Sequence, residues 1–253
     1  MPPSTVAKSN TEAPAALPAR DGYFAWSKDP AVSMFAVLPL WLAYEGLRLN
    51  LAPSERNLSE WILLDLITRQ APAISSVIYV AMGIGLFVAM RSVIQRNVPW
   101  GRVSLVVVLE GTVYGLMLGP LAAALADPAV RYLATFSTHP RLVQDLVGSL
   151  GAGIFEELVF RLGLMSLLAW MWARATSAFR LPRALGGILA VVVSALLFSL
   201  HHHLREDFHR GVFLFRTMAG LLLGFLFWFR GFGVCVYTHA MYDVYYFLTH
   251  DPR

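Results

Sequence analysis

The sequence predicts an all-α fold, a polytopic membrane helix bundle of about seven transmembrane helices. Three observations carry this. Hydrophobic residues make up 57% of the 253-residue chain against 14% charged, with a mean hydropathy of +0.58. Soluble domains carry about 25% charged residues, and a chain this apolar has too few polar groups to cover a water-facing surface. Apolar runs fall at 31–49, 73–94, 103–126, 143–172, 184–204, 212–229 and 232–249, each near the roughly 20 residues that a span needs. Lys and Arg sit singly between the runs. The net charge of +4 therefore reads as a set of topology signals and not as a nucleic-acid surface.

Residues 1–29, rich in Pro, Ala, Ser and Thr, lack an apolar stretch after a basic start. They read as a disordered leader and not as a cleavable signal peptide. Residues 30–253 then form a single transmembrane domain. Seven helices place the N-terminus, the cluster Arg91, Arg96 and Arg102, the cluster Arg174, Arg180 and Arg183, and Arg230 on one side. The density of the two clusters makes that side the cytoplasmic one. Gly111, Gly115 and Gly119 form a doubled small-xxx-small ridge in the third run, and Gly220 and Gly224 repeat the spacing in the sixth. Such ridges let helices approach closely in lipid. The last two runs are short and separated by little more than Arg230 and Gly231, which predicts either tilted helices or a tight turn at the membrane edge. The single cysteine, Cys235, excludes an internal disulfide and a cysteine-built metal centre.

Ionisable groups inside a membrane helix are expensive, by about 2.5–3.5 kcal/mol each on insertion scales, and here they gather in the C-terminal half. Glu156, Glu157 and Arg161 lie in the fourth run. Glu157 and Arg161 are four residues apart, on one helix face, and can pair. Glu156 is turned about 100° away and has no obvious partner on its own helix. A desolvated carboxyl of that kind suits general acid–base work; the competing reading is an ion-pair staple between helices. His201, His202 and His203 close the fifth run and point in three directions, so one or two at most can serve a site, and interfacial histidines at a helix end are the plain alternative. In the last run, His239 and Asp243 share a face. Asp beside His can fix its tautomer, or both can hold one ligand; a buried hydrogen-bonded pair is the bland reading. Together the three clusters supply the parts for activating a water and stabilising an oxyanion.

Glu156-Glu157 followed by Arg161, Phe198 followed by His202, and His239 followed by Asp243 resemble, in order and setting, the motifs of the CPBP family of intramembrane proteases. That family takes in type II CAAX prenyl endopeptidases and bacteriocin-processing relatives. The resemblance covers about 144–250. It implies an intramembrane endopeptidase acting on a membrane-associated protein or peptide substrate at the cell membrane, with the bilayer itself as partner. Carried over by position, Glu156 and His202 activate water, and His239 and Asp243 steady the oxyanion. Arg161 holds Glu157, and Phe198 packs beneath the site. Position 243 departs from the prenyl endopeptidases, which carry Asn there; an ionised Asp cannot donate a hydrogen bond. The favoured reading is metal-free, with no cofactor. Glu, His, His and Asp would also suit zinc, although the H-E-x-x-H helix of common zinc proteases is absent.

The rivals are a catalytically silent membrane scaffold or binding protein, a proton-coupled transporter using Glu110, Glu156 and Glu157, and a serine protease built on Ser149. The last lacks the expected flanking pattern.

Overall fold

The computed structural model describes residues 22–49, 58–60, 72–126, 142–179, 182–204 and 206–250. Within them every regular element is helical. Each of the seven apolar runs is a long helix: α1 (Pro30–Arg48), α2 (Pro72–Gln95), α3 (Trp100–Ala126), α4, α5 (Arg183–His202), α6 (Arg210–Arg230) and α7 (Phe232–Thr249). Helix α4 is composite. It starts as α-helix over Leu142–Gly151, widens into π-helix over Ala152–Glu156 and Leu158–Met165, and returns to α-helix over Ser166–Phe179. Among the described residues four segments are long and apolar enough to cross a membrane: Pro30–Arg48, Trp100–Ala126, Ala184–His202 and Arg210–Arg230. The chain is a multi-pass membrane protein.

Helix α7 is the axis of the bundle. Residues Gly233 to Ala240 are all buried on it, and it packs most extensively on α3. The glycine ridge of α3 makes that approach. A Cβ on Gly111 would lie 2.5 Å from Tyr237 Cβ, and one on Gly115 would lie 2.8 Å from Thr238 O and 2.9 Å from Met241 Cβ. The opposite face of α3 carries exposed Leu105, Leu109, Val113 and Leu116, an apolar stripe suited to lipid. Gly153, in the π stretch of α4, has the same role against α7: its Cβ would sit 2.7 Å from Ala240 Cβ. Glycines thus bring both flanking helices against α7 on either side of His239.

The ends of α1, α2 and α6 meet. Asp29 caps α1 through the Ala31 and Val32 amides and pairs with Arg96 at 2.5 Å. The Arg96 guanidinium holds the Asp29 carboxyl below its ordinary range, helped by those two amides. Arg96 in turn lies over the Trp26 ring. The turn between α6 and α7 is made by Gly231 at φ 89°, where a side chain would be strained and its Cβ would stand 2.6 Å from Ser27 O. The tight turn, one of the two arrangements expected there, is present.

Two readings of the sequence change. Residues 1–21 of the expected leader and Arg180 of the second cluster lie outside the described residues, but residues 22–29 are folded. Tyr23–Trp26 forms a helical turn whose Tyr23 hydroxyl bonds Glu110. Arg230, counted as a topology signal, is buried and chelates Glu110 with two contacts of 2.6 Å. Its charge belongs to the interior of the bundle, and the same pairing takes Glu110 away from the residues a transporter would leave free to titrate.

Substituting Gly115 by Ala should destabilise the protein by about 1–3 kcal/mol through overpacking. Gly83→Ala, where a Cβ meets nothing within 4 Å, should be neutral or slightly stabilising. Thermal unfolding of both variants in one detergent checks this; equal midpoints would remove the ridge from the account.

Candidate active site

The four residues offered by the sequence for catalysis come together from three helices: Glu156 from α4, His202 from α5, His239 and Asp243 from α7. All four line a cavity of about 1000 Å³ between α3, α4, α5, α6 and α7. The rest of its wall is mostly apolar, including Leu118, Phe215, Leu223 and Tyr242. Concave apolar sites with a few convergent polar groups are the usual form of a small-ligand or active site.

The site has a tight tier and a loose tier. In the tight tier Glu157, fully buried, is gripped on both oxygens. Its Oε1 accepts from Arg161 at 2.9 Å and from His239 Nδ1 at 2.6 Å. Its Oε2 accepts from the Cys235 thiol at 2.9 Å. Arg161 lies 4.4 Å over the Phe198 ring and donates to Gly220 O of α6 at 3.3 Å. A desolvated cation over an aromatic face contributes about 2 kcal/mol. Phe198 lies against both His202 and His239, with ring centroids at 4.8 and 5.7 Å. It therefore packs against both histidines. Ser194 of α5 donates to Phe160 O at 2.8 Å, adding a tie from α5 to α4.

In the loose tier the distances lengthen. Glu156 Oε2 stands 3.4 Å from His202 Nε2 and 3.9 Å from His239 Nε2, and His239 Nε2 stands 3.7 Å from Asp243 Oδ2. These distances are too long for good direct hydrogen bonds, so the groups converge on the cavity without closing on one another, and a water on the cavity side can touch two of them at once. The tautomer of His202 follows from its partner: Nδ1 donates to Phe198 O at 2.9 Å, so in the neutral ring Nε2 is an acceptor facing Glu156.

The neighbouring histidines are held by other partners, although His201 also lines the cavity. His203 Nδ1 donates to Ser199 O, and its ring packs on Phe208 and Phe213. His201 lies on Phe160 and within 3.4 Å of Ser59 Oγ. Ser149, the rival nucleophile, is fully buried and donates to Asp145 O one turn back. Among the described residues no three His, Cys, Asp or Glu side chains are disposed to hold one metal ion.

Sequence spacing did not reveal three features. The π-helical stretch lets consecutive Glu156 and Glu157 both face inward, one to the cavity and one to α7; π segments recur at functional sites. The reach of Glu157 to His239 crosses between helices, beyond any i, i+4 rule. Cys235 shares a helix face with His239, four residues on, and that spacing was the available signal for its contact with Glu157.

A family model described as type II CAAX prenyl endopeptidase Rce1-like matches residues 138–245. The match spans all three motifs and bears out the resemblance to the CPBP family over this part of the chain; the matched family is one of proteases. No curated protein and no solved structure matches the chain.

Removing Arg161 leaves the Glu157 charge buried beside a thiol and an imidazole. Breaking a buried pair from one side costs about 3–5 kcal/mol. Arg161→Ala should therefore lower both thermal stability and membrane abundance, not activity alone. An Arg161→Ala protein that accumulates and unfolds like the parent would refute this structural role.

Proposed function

We propose that the chain is an intramembrane endopeptidase that cuts membrane-associated protein or peptide substrates by Glu/His activation of water. The observation that carries the reading is the convergence of Glu156, His202, His239 and Asp243 on one cavity wall. The matched protease family supports it.

In this reading a water held on the cavity side donates to both Glu156 Oε2 and His202 Nε2. Glu156 takes one of its protons as the oxygen attacks the scissile carbonyl, and His202 accepts a hydrogen bond from the other. Glu157, against Nδ1 of His239, favours the imidazolium, whose Nε2–H then donates to the oxyanion. Asp243, in its neutral acid form, is the second donor. Collapse of the tetrahedral intermediate breaks the C–N bond, and the proton held by Glu156 passes to the leaving amine. Acid–base groups of this kind contribute about 100- to 10,000-fold, and oxyanion donors about as much. The site works without a metal. All seven long helices span the cell membrane, with the N-terminus, Arg96 and Arg102 on the cytoplasmic side.

Glu156→Gln keeps the shape and removes the base, so cleavage of a matched membrane substrate by purified protein in liposomes should fall about 100- to 10,000-fold. His202→Ala should be comparably inactive, while His201→Ala and His203→Ala should be mild. Asp243→Asn preserves a neutral donor and should retain activity. Full activity in Glu156→Gln would sink the assignment. A dead Asp243→Asn that only added zinc restores would sink the metal-free version alone.

Orientation has its own test. A reporter fused after Arg102 should be active only as a cytoplasmic marker; an outer-side signal there would reverse the topology.

A further inference from the structure

The cavity that holds the catalytic cluster also has a charged rim. Arg216 projects from α6, fewer than two turns from its start, and lines the cavity together with Asp243 and His202. Its guanidinium is closed off by Glu206, from the segment between α5 and α6, in a two-pronged pair at 2.7 and 3.1 Å. The two partners are unequal. The Arg216 side chain is 22% exposed, whereas Glu206 is 53% exposed and stands at the solvent edge. The neighbouring guanidinium holds the Glu206 carboxyl below its ordinary range. Glu206 belongs to a connecting segment, while Arg216 is built into a long helix. Arg216 is therefore the fixed half of the pair and Glu206 the half that can leave.

We propose that Arg216 is the specificity-determining residue that receives a carboxylate of the substrate, and that Glu206 fills this subsite until substrate displaces it. The planar guanidinium fork matches any carboxylate in two-point geometry, and Glu206 displays that match in place. A substrate chain entering over the apolar wall, with its carboxylate on Arg216, lies along the wall that carries Glu156, His202 and Asp243. An exposed ion pair is a weak lock, so it yields readily to a carboxylate delivered on an apolar anchor. The inference deepens the protease reading and rests on it only for the word substrate; the binding preference stands or falls alone.

The test uses the full chain in lipid nanodiscs, carrying Glu156→Gln so that ligands survive. The probes are a fluorescent apolar peptide ending in a free carboxylate and its C-terminal amide twin, followed by anisotropy. The acid should bind about tenfold tighter than the amide, the size of one charge-assisted contact. Arg216→Gln should erase that preference, and Arg216→Lys should keep part of it. Glu206→Gln, which leaves Arg216 in place, should tighten the acid and leave the amide unchanged. A merely structural pair would move both peptides together. Equal binding of the two peptides, binding of neither, or a preference that survives Arg216→Gln overturns the proposal. An acid preference in a chain that, with Glu156 restored, cleaves nothing would spare the proposal and sink the protease reading.

Discussion

A carboxylate inside a bilayer must be neutralised on the spot, and Glu157 is where this molecule meets that demand. One group receives a guanidinium from its own helix, an imidazole and a thiol from α7, and so welds α4 to α7. Arg161 extends the weld to α6 through Gly220 O and to α5 through the Phe198 ring. Four helices are thereby indexed to one buried charge. Nothing around the cavity could keep its register if that charge were left alone, because the penalty exceeds what packing contacts in lipid return.

The division into tight and loose contacts follows from this. The 2.6 Å contact with Glu157, itself held by Arg161 at 2.9 Å, fixes the His239 ring from behind, so its other nitrogen is aimed without being used up. The long distances from Glu156 to both histidines are then a property of a rigid frame and not of slack side chains. The widened turns of α4 make the arrangement economical. Adjacent residues Glu156 and Glu157 take opposite duties, one facing the cavity and one locked behind it. A second helix would otherwise be needed to supply the second carboxylate.

Much of this was legible in the sequence. Seven apolar runs became seven helices because in lipid each segment must satisfy its own backbone. The Gly111–Gly115 ridge was legible because small-residue spacing has one dominant use there. The candidate residues were legible because charge in an apolar run is too expensive to be idle. What stayed hidden is long-range. The Arg230–Glu110 pair joins positions 120 apart, and charge counting took Arg230 for a loop residue. The widening of α4 coincides with the close approach of Gly153 to α7, which no period in the sequence records. Residues 22–29 looked like the tail of a leader because their composition is unremarkable; their order comes from the capping Asp29, the Arg96 partner and the Tyr23 contact.

The Arg230–Glu110 chelate also bears on how the molecule is assembled. Glu110 lies in a helix made early, and Arg230 sits at the turn of the last hairpin. During synthesis Glu110 reaches the bilayer well before its counter-charge exists. Tyr23, which bonds Glu110 and stacks with Arg230, is available from the start and can shelter the carboxyl in the interval. The hairpin of α6 and α7 then arrives carrying the missing cation, and it also carries His239 and Asp243. Completion of the cavity and neutralisation of that waiting charge are one event, so a nascent chain stalled before this hairpin holds an unanswered charge and half of the cavity wall.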